Sequence, residues 1–133
     1  MITICDTNIF IEYFRKNNSI RLELGKIGYD NIVISDVVKA ELFFGARDKV
    51  DLQNIAKCLD IFPVLTIRPE ISKIAVDFVK KYCLSHKLKF PDALIAATAI
   101  YHNIELFTLN IKDFGVMDKC KANFALIFSS GQM

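Results

Sequence analysis

Apolar residues along this chain fall into two patterns: short continuous runs, and sets repeated at helical spacing. Ile2 to Cys5 is a short run that ends in Asp-Thr-Asn, the kind of edge where a buried parallel strand gives way to a loop. From Asn8 to Lys16, Ile9, Phe10, Tyr13 and Phe14 keep a helical spacing that Asn17 and Asn18 end. A second short helix is expected from Ile20 to Ile27 and a strand from Asn31 to Ile34. Ser35 is placed to cap a helix running from Asp36 to about Gly45 by accepting its orphan amide hydrogens. Leu52 to Leu59 continues helical, and Phe62 to Ile67 reads as a third strand. Pro69 then opens a long helix with its stripe at Ile71, Ile74, Ala75, Phe78, Val79 and Tyr82.

Ala93 to Tyr101 is apolar on nearly every side, which predicts an almost fully enclosed helix at the centre of the fold. Ile104 to Thr108 is expected as strand four, Lys112 to Phe114 as a turn of helix, and Asn123 to Phe128 as the last strand. Strands separated by helices predict the α/β class. The expected form is a three-layer α/β/α sandwich around a mostly parallel sheet of four to five strands, whose ligands gather at the carboxyl edge.

Composition narrows the class further. The chain has 133 residues and is 53% hydrophobic, with 17 basic against 15 acidic side chains, which fits one compact domain over 1–133 and excludes a disordered chain. A net charge of +2 means that nucleic acid would have to be held by a local patch. Cys5, Cys58, Cys83 and Cys120 form no CxxC pair and read as reduced, mostly buried thiols. Asp6 interrupts the N-terminal run too early for a signal peptide, and the longest apolar stretch is about half of the ~20 residues a bilayer span requires. A cytoplasmic protein without a membrane anchor is the expectation.

Four acidic or amide positions then stand out, each with an ordinary explanation. Asp6 closes the first strand, where it either delivers a carboxylate to the sheet edge or caps the next helix. Glu41 falls on what reads as the inward stripe of its helix, with Val37, Val38 and Phe44; Lys39 or Asp48 would be its partner in a structural salt bridge. Asp92 follows Pro91 in the first turn of the enclosed helix, a favourable place for negative charge on electrostatic grounds alone. Thr108, Asn110 and Asp113 follow strand four, where an Asx-turn opening a short helix accounts for them.

Taken together, these residues bring carboxylates and a carboxamide from four segments toward one edge. Like charges gathered there must hold protons or a cation. An all-oxygen set selects a hard ion, Mg²⁺ or Mn²⁺, and His86 and His102 are too few and wrongly spaced for zinc. Such an ion leaves positions for a phosphate and a nucleophile, which points to phosphodiester chemistry. In that reading Asp6 and Asp92 bind the ion, and Glu41 orients or deprotonates the attacking water. It requires side chains 6, 41 and 92 to meet in one solvent-reachable hollow. No nucleophile elbow and no GxxxxGK[ST] loop is present.

Four motifs, in order, resemble the PIN-domain ribonucleases, and in particular the VapC-type toxins of bacterial and archaeal toxin-antitoxin pairs. They are Ile4-Cys5-Asp6-Thr7-Asn8-Ile9-Phe10-Ile11, then Ser35 to Leu42 with Gly45, then Pro91 to Ala99, and Leu106 to Phe114. The resemblance implies a PIN-like α/β/α fold, Mg²⁺- or Mn²⁺-dependent endonucleolytic cleavage of RNA, homodimerisation, and inhibition by a cognate antitoxin that blocks the acidic pocket. The substrate would be tRNA or another structured RNA. Residue by residue, Asp6, Glu41 and Asp92 match the acidic triad, while Thr7 and Asn8 match the polar residues beside the first acid. Asn110 stands where many relatives have a fourth acid. This departure leaves one or two ions open, with Asp113 as the available substitute.

Lys80, Lys81, His86, Lys87 and Lys89 form the densest basic run, just before Pro91-Asp92. Lys87 and Lys89 are candidate phosphate contacts, or else a solvated helix end and loop. Against the nuclease stands a catalytically inactive PIN-like module that only binds RNA or protein, supported by Asn110. A phosphatase with Asp6 as nucleophile would want a second Asp where Asn8 stands.

Overall fold

In the computed structural model, which describes residues 2–118 and 125–127, the first apolar run becomes the middle strand of the sheet. The strands are β1 (Thr3–Cys5), β2 (Ile32–Ser35), β3 (Val64–Leu65), β4 (Glu105–Phe107) and β5 (Ala125–Ile127). Their order is β3-β2-β1-β4-β5, and every pairing is parallel. The helices are α1 (Thr7–Phe14), α2 (Asn18–Ile27), α3 (Asp36–Phe44), α4 (Lys49–Leu59), α5 (Pro69–Tyr82), α6 (Phe90–His102) and α7 (Ile111–Asp118). β1 and β2 are buried at every position. Strands covered on both faces read as continuous apolar runs, which is why they are legible without a period of two.

From β1 the chain lays down β2 and β3 on one side, then returns to the other side of β1 for β4 and β5. That reversal makes a switch point between β1 and β4, where the carboxyl ends of the strands leave a crevice. α6 is the enclosed helix. Every residue from Ala93 to Ala99 is buried, and the helix packs along α5 as well as against α3, α7 and β4. Burying Ile95 alone contributes about 1.5–3 kcal/mol, so this helix holds the first turn, with Asp92, firmly in place. Asp6, Asn17, Ser35 and Asp48 cap the helices that follow them, each side chain accepting from an amide three residues on. No helix among the described residues is long and apolar enough to cross a membrane.

Several expectations need correction. β3 covers Val64–Leu65 and not Phe62 to Ile67, because the flanking amides bond elsewhere. The Phe62 amide donates to the Leu59 carbonyl at the end of α4, and the Ile67 amide donates to Asp36 Oδ2. α7 runs eight residues where only a turn over Lys112 to Phe114 is expected. The α3 stripe is narrower than read: Val38 and Leu42 are buried, whereas Glu41 is exposed and Phe44 is 95% exposed. At roughly 100° per residue Phe44 lies about 120° from Val38, past the edge of the covered face. Cys5 is buried, but Cys58 and Cys83 are exposed free thiols, so the thiols are not mostly buried. Of the last expected strand, Asn123, Phe124 and Phe128 lie outside the described residues, as does Cys120.

Candidate active site

The carboxyl ends of β1 and β4 meet at Asp6 and Thr108. Asp6 is only 4% exposed and Thr108 fully buried. One Asp6 oxygen, Oδ1, accepts from the Ile9 amide at 3.3 Å and so caps α1; the other, Oδ2, accepts from the Thr108 hydroxyl. Thr108 Oγ1 in turn accepts from the Asn110 amide at 2.9 Å. Capping and delivery to the sheet edge are thus one geometry here. Burial lifts the Asp6 pKa above the ordinary carboxylate value and the Glu41 charge adds to that. The Thr108 hydroxyl and the Ile9 and Asn8 amides pull it back.

Glu41 reaches the same corner from α3. Its Oε1 accepts from the Thr7 hydroxyl at 2.6 Å, across from the start of α1. The salt bridge to Lys39 does not form, since Lys39 Nζ stands 6.0 Å from the Phe43 ring centroid; Asp48, whose like charge rules it out as a partner, caps α4. Asp92 is half-buried, and no hydrogen bond reaches its carboxylate from the described residues. Its helix begins after Lys89 without a side-chain cap, and Asp92 stands in the first turn, where the helix dipole favours its charge. Burial, followed by the charges of Asp113, Asp6 and Glu41, pushes its pKa up to about 6, and Lys89 opposes this.

Asp113 is therefore the acid whose charge Asp92 feels most. Asn110 is engaged with it: its Oδ1 accepts from the Asp113 amide at 3.3 Å and its Nδ2 donates to Asp113 Oδ2 at 3.1 Å. Asn110 Oδ1 accepts from an amide three residues on, so Asn110 caps α7 and does not form the expected Asx-turn, whose bond spans two residues. As the side chains stand, no three His, Cys, Asp or Glu residues among those described form a ligand set around one point. What links Asp6, Glu41, Asp92 and Asp113 is mutual electrostatic repulsion at one edge.

Lys87 and Lys89 are exposed. Lys89 acts on Asp92 through its charge, while Lys87, in a left-handed backbone (φ 51°), has no hydrogen bond or ion pair with a described residue. Lys80 and Lys81 sit in the last turn of α5, where the helix dipole favours them. A cleft of about 810 Å³ between α1, α2, α3 and α4 reaches Glu41 but neither Asp6 nor Asp92, and Arg15, Arg21 and Arg47 line it. Arg15 and Arg21 lie six residues apart in the sequence. Their shared cleft arises only when α1 and α2 pack, and no local pattern announces it.

The PIN domain family model matches residues 3–119, which includes every one of these acids. The chain belongs to the PIN domain family. Ribonuclease VapC10 of Mycobacterium tuberculosis is 30% identical to it over 92% of this chain and 93% of that protein. Ribonuclease VapC1 of Rickettsia felis is 35% identical over 84% and 87%. Among solved structures, a toxin-antitoxin complex from Klebsiella pneumoniae superposes with a TM-score of 0.76 at 29% identity, over 92% of this chain and 95% of that one. Within the matched residues, Asp113 stands three residues beyond Asn110 and is the acid whose charge acts most on Asp92.

Proposed function

We propose that this chain is a metal-dependent endoribonuclease that hydrolyses RNA phosphodiester bonds as the toxin of a VapBC-type pair. The observation that carries the reading is Asp92: a carboxylate with no hydrogen bond from the described residues, held by a buried helix against three other acids, with its pKa raised to about 6. A carboxylate left in that state is suited to a cation. The donors are all oxygen, which fits Mg²⁺, with Mn²⁺ as substitute. Mg²⁺ usually takes one or two protein carboxylates and keeps several waters, so a full protein cage is not required. Asp6, Glu41 and Asp92 would hold the ion, with Asp113 as the fourth acid. When bound, the ion supplies Lewis-acid stabilisation of charge building on the phosphate oxygens.

The chain's own groups do the rest. Thr108, fixed by the Asn110 amide, holds Asp6 Oδ2 in one orientation. Thr7 occupies Glu41 Oε1 and leaves Oε2 to orient the attacking water and accept its proton. The water oxygen bonds to phosphorus as the bond from phosphorus to the leaving ribose oxygen breaks. Lys89 and Lys87, at the entry to α6, are the proposed phosphate contacts, and Asn8, exposed at the start of α1, is a proposed substrate contact. In this reading the 133 residues act as one nuclease domain in the cytoplasm, as a homodimer restrained by a cognate antitoxin. The substrate is tRNA or another structured RNA. A binding-only PIN-like module is the alternative, and its support weakens because Asn110 has a structural task and Asp113 carries the charge.

The test is cleavage of total RNA by the purified chain with Mg²⁺, with EDTA, and with the Asp6→Asn variant. Discrete cuts that vanish in both controls are expected. RNA binding without cuts in any arm would leave the binding module standing instead.

A further inference from the structure

Beside the acidic corner lies a second hollow, of about 400 Å³, lined by Asn8, Ile11, Glu12, Arg15, Leu109 and Asn110. Asn8 is two residues from Asp6, and Asn110 two from Thr108, so the hollow adjoins the corner directly. Asn8 and Glu12 are four apart on α1 and share a face. Glu12 has no part in the chemistry described above. Its side chain is 26% exposed, yet Oε2 is buried and accepts no hydrogen bond from the described residues. Arg15 Nη1 stands 3.6 Å from it, on a side chain that is itself 74% exposed. A buried carboxylate oxygen without a donor is costly, and such groups call for a specific reason.

We propose that Glu12 reads an unpaired guanine next to the bond that is cut, an inference that rests on the ribonuclease reading. Ile11 and Leu109 supply apolar walls for the faces of a flat ring. On its Watson–Crick edge guanine presents two adjacent donors, N1–H and the N2 amino group, which match the two oxygens of the Glu12 carboxylate once it turns from beside Arg15 to face the hollow. Its O6 acceptor lies beside them and suits the Arg15 guanidinium. Adenine and cytosine offer one amino donor on that edge, and uracil places carbonyls on both sides of its single N–H. The edge is free only in a single strand or loop, which is where sequence-specific RNA contacts are usually made.

The experiment uses the full chain with Mg²⁺ and hairpin RNAs randomised in the loop, cut by wild type, Glu12→Gln and Glu12→Ala, with the ends sequenced. Thermal melts of each variant check folding. Wild type should favour guanosine over adenosine at one fixed position from the cut by about tenfold or more. Glu12→Gln should bring the guanosine substrate down to within about threefold of the adenosine one. Replacing that guanosine by inosine, which lacks the N2 amino group, should cost wild type about tenfold and leave Glu12→Gln indifferent, a response that a merely structural Glu12 would not give. A guanosine preference that survives in both variants, or no such preference in wild type, overturns the assignment while leaving the ribonuclease in place. Failure of wild type to cut any RNA removes the ribonuclease and this reading together.

Discussion

Asp6 and Asp92 sit at the same sheet edge, and burial raises the pKa of both, but they are held in opposite ways. Around Asp6 each oxygen has a donor, and the Thr108 hydroxyl is itself positioned by an amide. Around Asp92 the described residues supply only charges, three acids against Lys89, on a backbone that the packing of α6 immobilises. The first arrangement resists change because moving one group orphans another. The second leaves a carboxylate whose best partner comes from outside the chain. Half of the site is thus an anchor and half is receptive.

Breaking the receptive half should have the largest effect. Asp92→Asn is expected to lower RNA cleavage by about 10²–10³-fold, measured with a fluorescent RNA under single-turnover conditions. Activity within threefold of wild type would remove Asp92 from the mechanism. Damage to the anchor should appear as lost stability: Thr108→Val keeps the shape but leaves Asp6 Oδ2 and the Asn110 amide without their partner. A loss of about 2 kcal/mol in urea unfolding is expected. An unchanged midpoint would mean that the Thr108 hydroxyl does not hold the corner.

The smallest effect sharpens the contrast through pH. The folded-state value of Asp92, about 6, lies above its ordinary 3.8, so the folded chain binds that proton more tightly than the unfolded one. The stability this group contributes is fully present below the ordinary value and is lost as pH rises through the folded one. Asp92→Asn should therefore melt higher than wild type at pH 7, by about 1 kcal/mol once solvent screening is allowed for, with the gap closing by pH 4. A gap that is constant with pH would show that Asp92 does not titrate in this way.

Most of the fold was legible because its elements announce themselves locally. The Ile2–Cys5 run, the Ser35 cap and the all-apolar Ala93 to Ala99 stretch each depend on residues a few positions apart. β3 was overread because Phe62 and Ile67 bond to Leu59 and Asp36, and no apolar count reports such partners. The acids were legible as a set because each ends or opens an element. Their roles were not. Glu41 was expected to face the core, yet it is exposed and tied to Thr7 across 34 residues. No local signal marks Glu12, since an acid on an amphipathic helix looks like solvated surface.

By itself the sequence determined the alternation of strand and helix, the enclosed helix, the caps and the identity of the acids, since these follow from side-chain chemistry and short-range periodicity. Only the tertiary structure decided which charges feel one another. That depends on β4 returning beside β1, which brings Thr108 to Asp6 and Asp113 to Asp92. Electrostatic coupling falls with distance through space, and distance through space is what a linear chain leaves open until it packs.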